Sequence, residues 1–128
     1  MKILLLSDVE SPYLWDYYQP GRLNEYSLML SCGDLKASYL SFLVTMGRAR
    51  LLYVHGNHDT GYDRNPPEGC ECIDDKLVVV NGLRILGLGG SLAYNGGKHQ
   101  YTEQQMRMRI WKAGWAVRRA GGVDIVLT

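Results

Sequence analysis

A chain of 128 residues can hold one domain with its own core and is too short for two of ordinary size, so residues 1–128 are read as a single unit. At 46% hydrophobic and 21% charged residues the composition is globular, which excludes a disordered or fibrous chain. A formal net charge of +1 gives no overall field for nucleic acid or an anionic membrane, so the expectation is no nucleic-acid and no membrane partner, and ligands must be argued from local sites.

The first segment, Met1 to Asp8, is apolar from Ile3 to Leu6 but is broken by Ser7 and Asp8 before a secretory core is complete. No later run approaches membrane-spanning length, and the expected location is the cytoplasm. Three cysteines, Cys32, Cys70 and Cys72, cannot all pair within one chain, which fits a reducing compartment. Cys70-Glu71-Cys72 lacks the second pair that a structural zinc clip needs and reads as ordinary thiols flanking a strand.

Ile3 to Leu6, Tyr26 to Leu30 and Leu51 to Val54 are continuous apolar runs, the pattern of strands buried on both faces of a mostly parallel sheet. Tyr13 to Tyr18 has helical character until Pro20-Gly21, and Asp34 to Met46 predicts a crossover helix with Leu35, Tyr39, Leu40, Phe42 and Leu43 on its apolar face and Gly47 as its stop. Thr60 to Gly69 reads as a loop. Lys76 to Val80 and Leu83 to Leu88 form a hairpin about Asn81-Gly82.

Gly87 to Ser91 is glycine-rich but has neither the lysine of a P-loop nor dinucleotide spacing, and a tight turn is expected. Thr102 to Ala120 is a helix opened by a Thr-x-x-Gln capping box, with Met106, Ile110, Ala113 and Val117 on its inner face. Its basic residues read as a solvated face, and Trp111 and Trp115 as core or interface. Gly121-Gly122 ends it, and Val123 to Leu127 begins another strand.

Each of the three apolar runs leads into a polar cluster: Asp8-Val9-Glu10, Gly33-Asp34 and Gly56-Asn57-His58-Asp59. Singly, each has a structural reading as a cap or turn. Residues just past the carboxyl ends of parallel strands converge on one rim, however, and carboxylates with a side-chain amide are hard oxygen donors suited to Mn²⁺, Mg²⁺, Fe or Zn²⁺. Gathering such groups without a cation costs several kcal/mol in desolvation and repulsion. His55 is expected to be a packed histidine and His99 a solvated loop histidine.

These motifs resemble the D-x-H, G-D and G-N-H-D/E series of the calcineurin-like metallophosphoesterases, with Glu10 where that family usually has histidine. The resemblance implies an α/β fold, part of a four-layer α/β/β/α sandwich with a mixed, largely parallel sheet. It also implies two divalent ions, with Mn²⁺ foremost given Glu10. Asp8 and Glu10 would bind the first ion, Asp34 would bridge, Asn57 would bind the second, and His58 would be catalytic with Asp59 orienting its ring.

The implied activity is hydrolysis of phosphomonoesters or phosphodiesters, with a phosphorylated small molecule or nucleotide as substrate. The family's later T-H or G-H and G-H-x-H histidines have no counterpart in this chain. The expectation is therefore an amino-terminal part of such a domain, of reduced activity and prone to homo-oligomerise. The alternative is a non-catalytic binding module on the same fold.

Overall fold

A computed structural model describes residues 1–128. It is a mixed α/β arrangement with mostly parallel sheets. The first sheet is wholly parallel and contains β1 (Ile3–Leu6), β2 (Leu28–Ser31), β3 (Arg50–Tyr53) and β4 (Glu71–Cys72), in that order. The second contains β5 (Leu77–Val80), β6 (Leu83–Gly87) and β9 (Ile125–Leu127), with β5 antiparallel and β9 parallel to β6. Two short parallel strands, β7 (Ser91–Leu92) and β8 (Gln100–Tyr101), form a separate ribbon.

Period-two alternation on β2 and β3 divides the core. Met29, Leu51 and Tyr53 face α1 (Ala37–Met46) and meet Tyr39, Leu40 and Leu43. Leu28, Leu30 and Leu52 point the other way and join Val54, Ile73, Val80, Ile85 and Leu127, so the two sheets pack face to face. Beyond the second sheet, Leu86 and Leu88 pack with Ala113 of α2 (Glu103–Arg119).

Local chemistry explains most element ends. Asn81 and Gly82 have φ of 51° and 79°, the two left-handed residues of a tight β-turn between β5 and β6. Thr102 caps α2: its side chain accepts from Gln105 N at 3.2 Å, and Gln105 Oε1 accepts from Thr102 N at 2.8 Å. The α1 helix starts at Ala37 rather than at Asp34 because Asp34 is left-handed, with φ 59°.

Two expectations need correction. Residues 13 to 17 form turns, Tyr18 is irregular, and no regular helix is present there. Arg22 donates to the carbonyls of Tyr13 and Tyr17 and stacks over the Tyr13 ring at 3.5 Å, taking acceptors that a helix would use. On α2, Ile110 is 52% exposed, and Arg109 occupies the inner stripe instead. Its guanidinium reaches Asp75 Oδ1 and Gly89 O, both at 2.8 Å, and lies 4.0 Å over Tyr101. The charge is held there by one carboxylate, one backbone carbonyl and the face of an aromatic ring.

A four-residue 3₁₀ turn, Thr60–Asp63, begins the segment read as a loop. The three cysteines are free thiols. No helix is long and apolar enough to cross a membrane.

Candidate metal centre at the strand ends

β1, β2 and β3 are adjacent and parallel, so their carboxyl ends lie side by side and present Asp8, Asp34 and Asn57-His58 along one rim. The connecting backbone is drawn tight there. Asp8 N donates to Gly33 O at 3.2 Å, and a Cβ on Gly33 would come within 2.3 Å of Gly56 N. A Cβ on Gly56 would lie 2.1 Å from Asp34 Oδ1. The glycines of Gly33-Asp34 and Gly56-Asn57 are therefore required for these two loops to touch.

Asp59 completes this clasp. Its side chain is buried, and Oδ2 accepts from Asp34 N at 2.8 Å and Gly56 N at 2.9 Å. Burial raises its pKa, while the two backbone donors oppose that rise. Asp59 makes no hydrogen bond to His58, so the expected orienting role is corrected: its short side chain turns inward to the loop amides, away from an exposed ring.

The other expected residues are placed as follows. Asp34 Oδ1 accepts from His58 N at 2.9 Å, and Asp34 and Asp8 both hold left-handed backbone, with φ of 59° and 61°. Such strain concentrates at functional sites, although aspartate tolerates it better than most residues. Asn57 donates Nδ2 to Tyr94 Oη at 2.8 Å, which leaves Oδ1 as its available oxygen donor. Glu10 Oε1 accepts from Lys36 N at 3.2 Å, just ahead of α1.

Glu10, Asp34, Lys36, His58 and Asp59 line one open cleft. Asp8 is exposed and lies outside that lining. No three of Asp8, Glu10, Asp34 and His58 bring ligand atoms within 4.8 Å of one another. Their donor chemistry suits a hard divalent ion, but Glu10 is held at the start of α1 and the Asp8 carboxylate is exposed and accepts from Ser7 Oγ.

One trio does have that spacing: His55, Cys72 and Asp74. His55 Nδ1 is 2.5 Å from Asp74 Oδ2 and 3.7 Å from Cys72 Sγ, and Cys72 Sγ is 3.8 Å from Asp74 Oδ2. Nitrogen, thiol and carboxylate donors would suit a softer ion such as Zn²⁺. The geometry is also explained as an ion pair, because Asp74 further accepts from His55 N at 3.2 Å and Gly89 N at 3.1 Å.

The hydrogen bond that His55 donates to Asp74, then the Cys72 contact, push the His55 pKa up to about 10 against the effect of burial. Burial works to raise Asp74, but its bonds to His55 outweigh this and hold it below the usual carboxylate range. His99 stacks on His55 with ring centroids 4.2 Å apart and planes 7° from parallel. Burial first, and then the charge of His55, lower the His99 pKa.

The packed histidine expected at position 55 is thus observed, whereas His99 is drawn against it rather than left in solvent. Cys72, expected as an ordinary thiol flanking a strand, lies instead against His55 and Asp74, and neither Asp74 nor Tyr94 carries a sequence motif. Asp74 lies beyond a two-residue strand and Tyr94 between two others, so no long apolar run points to either. The glycines before Ser91 offered a signal: a Cβ on Gly89 would lie 2.6 Å from both Asp74 Oδ1 and His55 O. The chain matches no protein-family model and no curated protein sequence.

Proposed function

We propose that this chain is a metal-dependent hydrolase of phosphomonoesters or phosphodiesters, built on the four-layer α/β/β/α plan of the calcineurin-like metallophosphoesterases. The observation that carries the reading is the clasp of Gly33-Asp34 against Gly56-Asn57-His58-Asp59, beside Asp8, at three neighbouring parallel strand ends. The sequence of packing from α1 through the two sheets to α2 also supports it.

Asp8, Asp34 and the Asn57 oxygen would hold divalent metal, Mn²⁺ or Mg²⁺ by donor hardness, with Glu10 contributing from the cleft wall. When bound, such a pair of ions supplies Lewis-acid activation of water and neutralises phosphoryl charge. The residues of the chain do the rest. His58 is exposed at the cleft and is available to protonate the leaving oxygen. The first turn of α1 has no side-chain cap, so its amides, together with Lys36 on the cleft wall, favour an anionic group there. Asp59 fixes the spacing of Asp34 and Asn57 without touching substrate.

Hydrolysis of an aryl phosphodiester with and without Mn²⁺ tests this. Metal-dependent turnover is expected. Asp34→Asn should lower it about 10- to 100-fold, and His58→Ala about 100-fold without altering metal affinity. No metal-dependent turnover, or full turnover by a folded Asp34→Asn protein, would overturn the enzymatic reading and favour a binding module.

A further inference from the structure

Helix α2 turns a second, very different surface outward. At 100° per residue, Ala113, Met106, Val117 and Arg109 cluster on the side facing the second sheet. Directly opposite lie Met108, Trp111 and Trp115, which are 54%, 63% and 54% exposed. Along one flank run Arg107 and Arg118, and along the other Lys112 and Arg119, all four exposed. Arg107 shares its charge with Glu103 at 2.7 Å, while Lys112, Arg118 and Arg119 have no carboxylate within ion-pair distance.

A helix with an aromatic and methionine centre bordered on both sides by long basic residues has the composition of one that lies in a membrane interface. The rings enter the headgroup boundary, and the lysine and arginine stems lie along apolar surface while their charges meet anionic lipid. We propose that the outward face of α2 docks the protein peripherally on an anionic membrane surface, through Met108, Trp111 and Trp115 with Lys112, Arg118 and Arg119 at the headgroups. The inference does not depend on the phosphoesterase reading. It also explains how a chain of net charge +1 can have such a partner: the charge that matters is gathered on one helix face.

Other occupants fit less well. A second copy packed symmetrically on this face would bring equivalent basic flanks together, and like charges in a desolvated contact are costly. Single-stranded nucleic acid would need aromatic faces for bases, but Trp111 and Trp115 meet edge to face at 6.4 Å and 86°, one ring edge covering the other's face.

Sedimentation with phosphatidylcholine vesicles, with and without phosphatidylserine, tests the proposal on the full chain. Binding should require phosphatidylserine, weaken with added salt and shift the tryptophan emission to the blue. Trp111→Ala with Trp115→Ala should abolish both binding and shift, leaving Trp15 as a reporter of the intact fold. Lys112→Glu with Arg119→Glu should weaken binding by about fivefold or more for each charge removed. Because these side chains point to solvent, circular dichroism should be unchanged in both variants. Failure of the native chain to select anionic vesicles, equal binding by either folded double variant, tighter binding to a single-stranded oligonucleotide, or a dimer that Trp111→Ala dissolves would each overturn it.

Discussion

His58 and Asp59 are neighbours in the chain with opposite surroundings, one exposed at the cleft and the other buried against loop amides. A tetrapeptide motif specifies residue types but not the direction of each side chain, and Asp59 follows the amides of Asp34 and Gly56. The same limit applies at His55, whose partner Asp74 is nineteen positions away. That pair has a definite pH signature. A histidine raised to about 10 on folding contributes stability that is complete below its unfolded pKa, near 6.5, and is lost as pH rises through about 10. Asp74, held low, contributes stability that is complete above its unfolded pKa, about 3.9, and is lost as pH falls from there through its own depressed pKa. Melting temperature measured across the alkaline range should therefore fall in the native chain and fall less in His55→Gln; parallel curves would contradict the ion pair.

At the scale of elements, the readable features were those with local physical causes. The hairpin at Asn81-Gly82, the capping box at Thr102 and the run of parallel strands were expected and are present. What escaped was set by distant contacts. Arg109 displaced Ile110 from the inner stripe of α2 because Asp75, Gly89 and Tyr101 converge there, and apolar periodicity carries no sign of them. The cap itself is open to test: Thr102→Ala should destabilise the chain by about 1 kcal/mol, read by denaturant titration. An unchanged midpoint would mean that packing alone holds α2 in place.

For the whole molecule, two of the three packed cores set the rim. The α1 core and the core between the sheets share β2 and β3, so the strand ends bearing Asp34 and Asn57 rest on the most deeply buried part of the chain. That rim was legible in the sequence because each strand is a short apolar run ending in a polar cluster. How far the carboxylates stand from one another was not, since it depends on the Glu10 contact to Lys36 and on the left-handed turns at Asp8 and Asp34. The central claim, that this rim binds a hard divalent ion, is tested most directly by titrating Mn²⁺ and following the free-ion signal by electron paramagnetic resonance. The account predicts saturable binding that Asp34→Asn and Asp8→Asn each weaken about 10- to 100-fold and that Cys72→Ser leaves unchanged. Absence of binding, or binding that survives at Asp34 and Asp8 but is lost with Cys72→Ser, would contradict it.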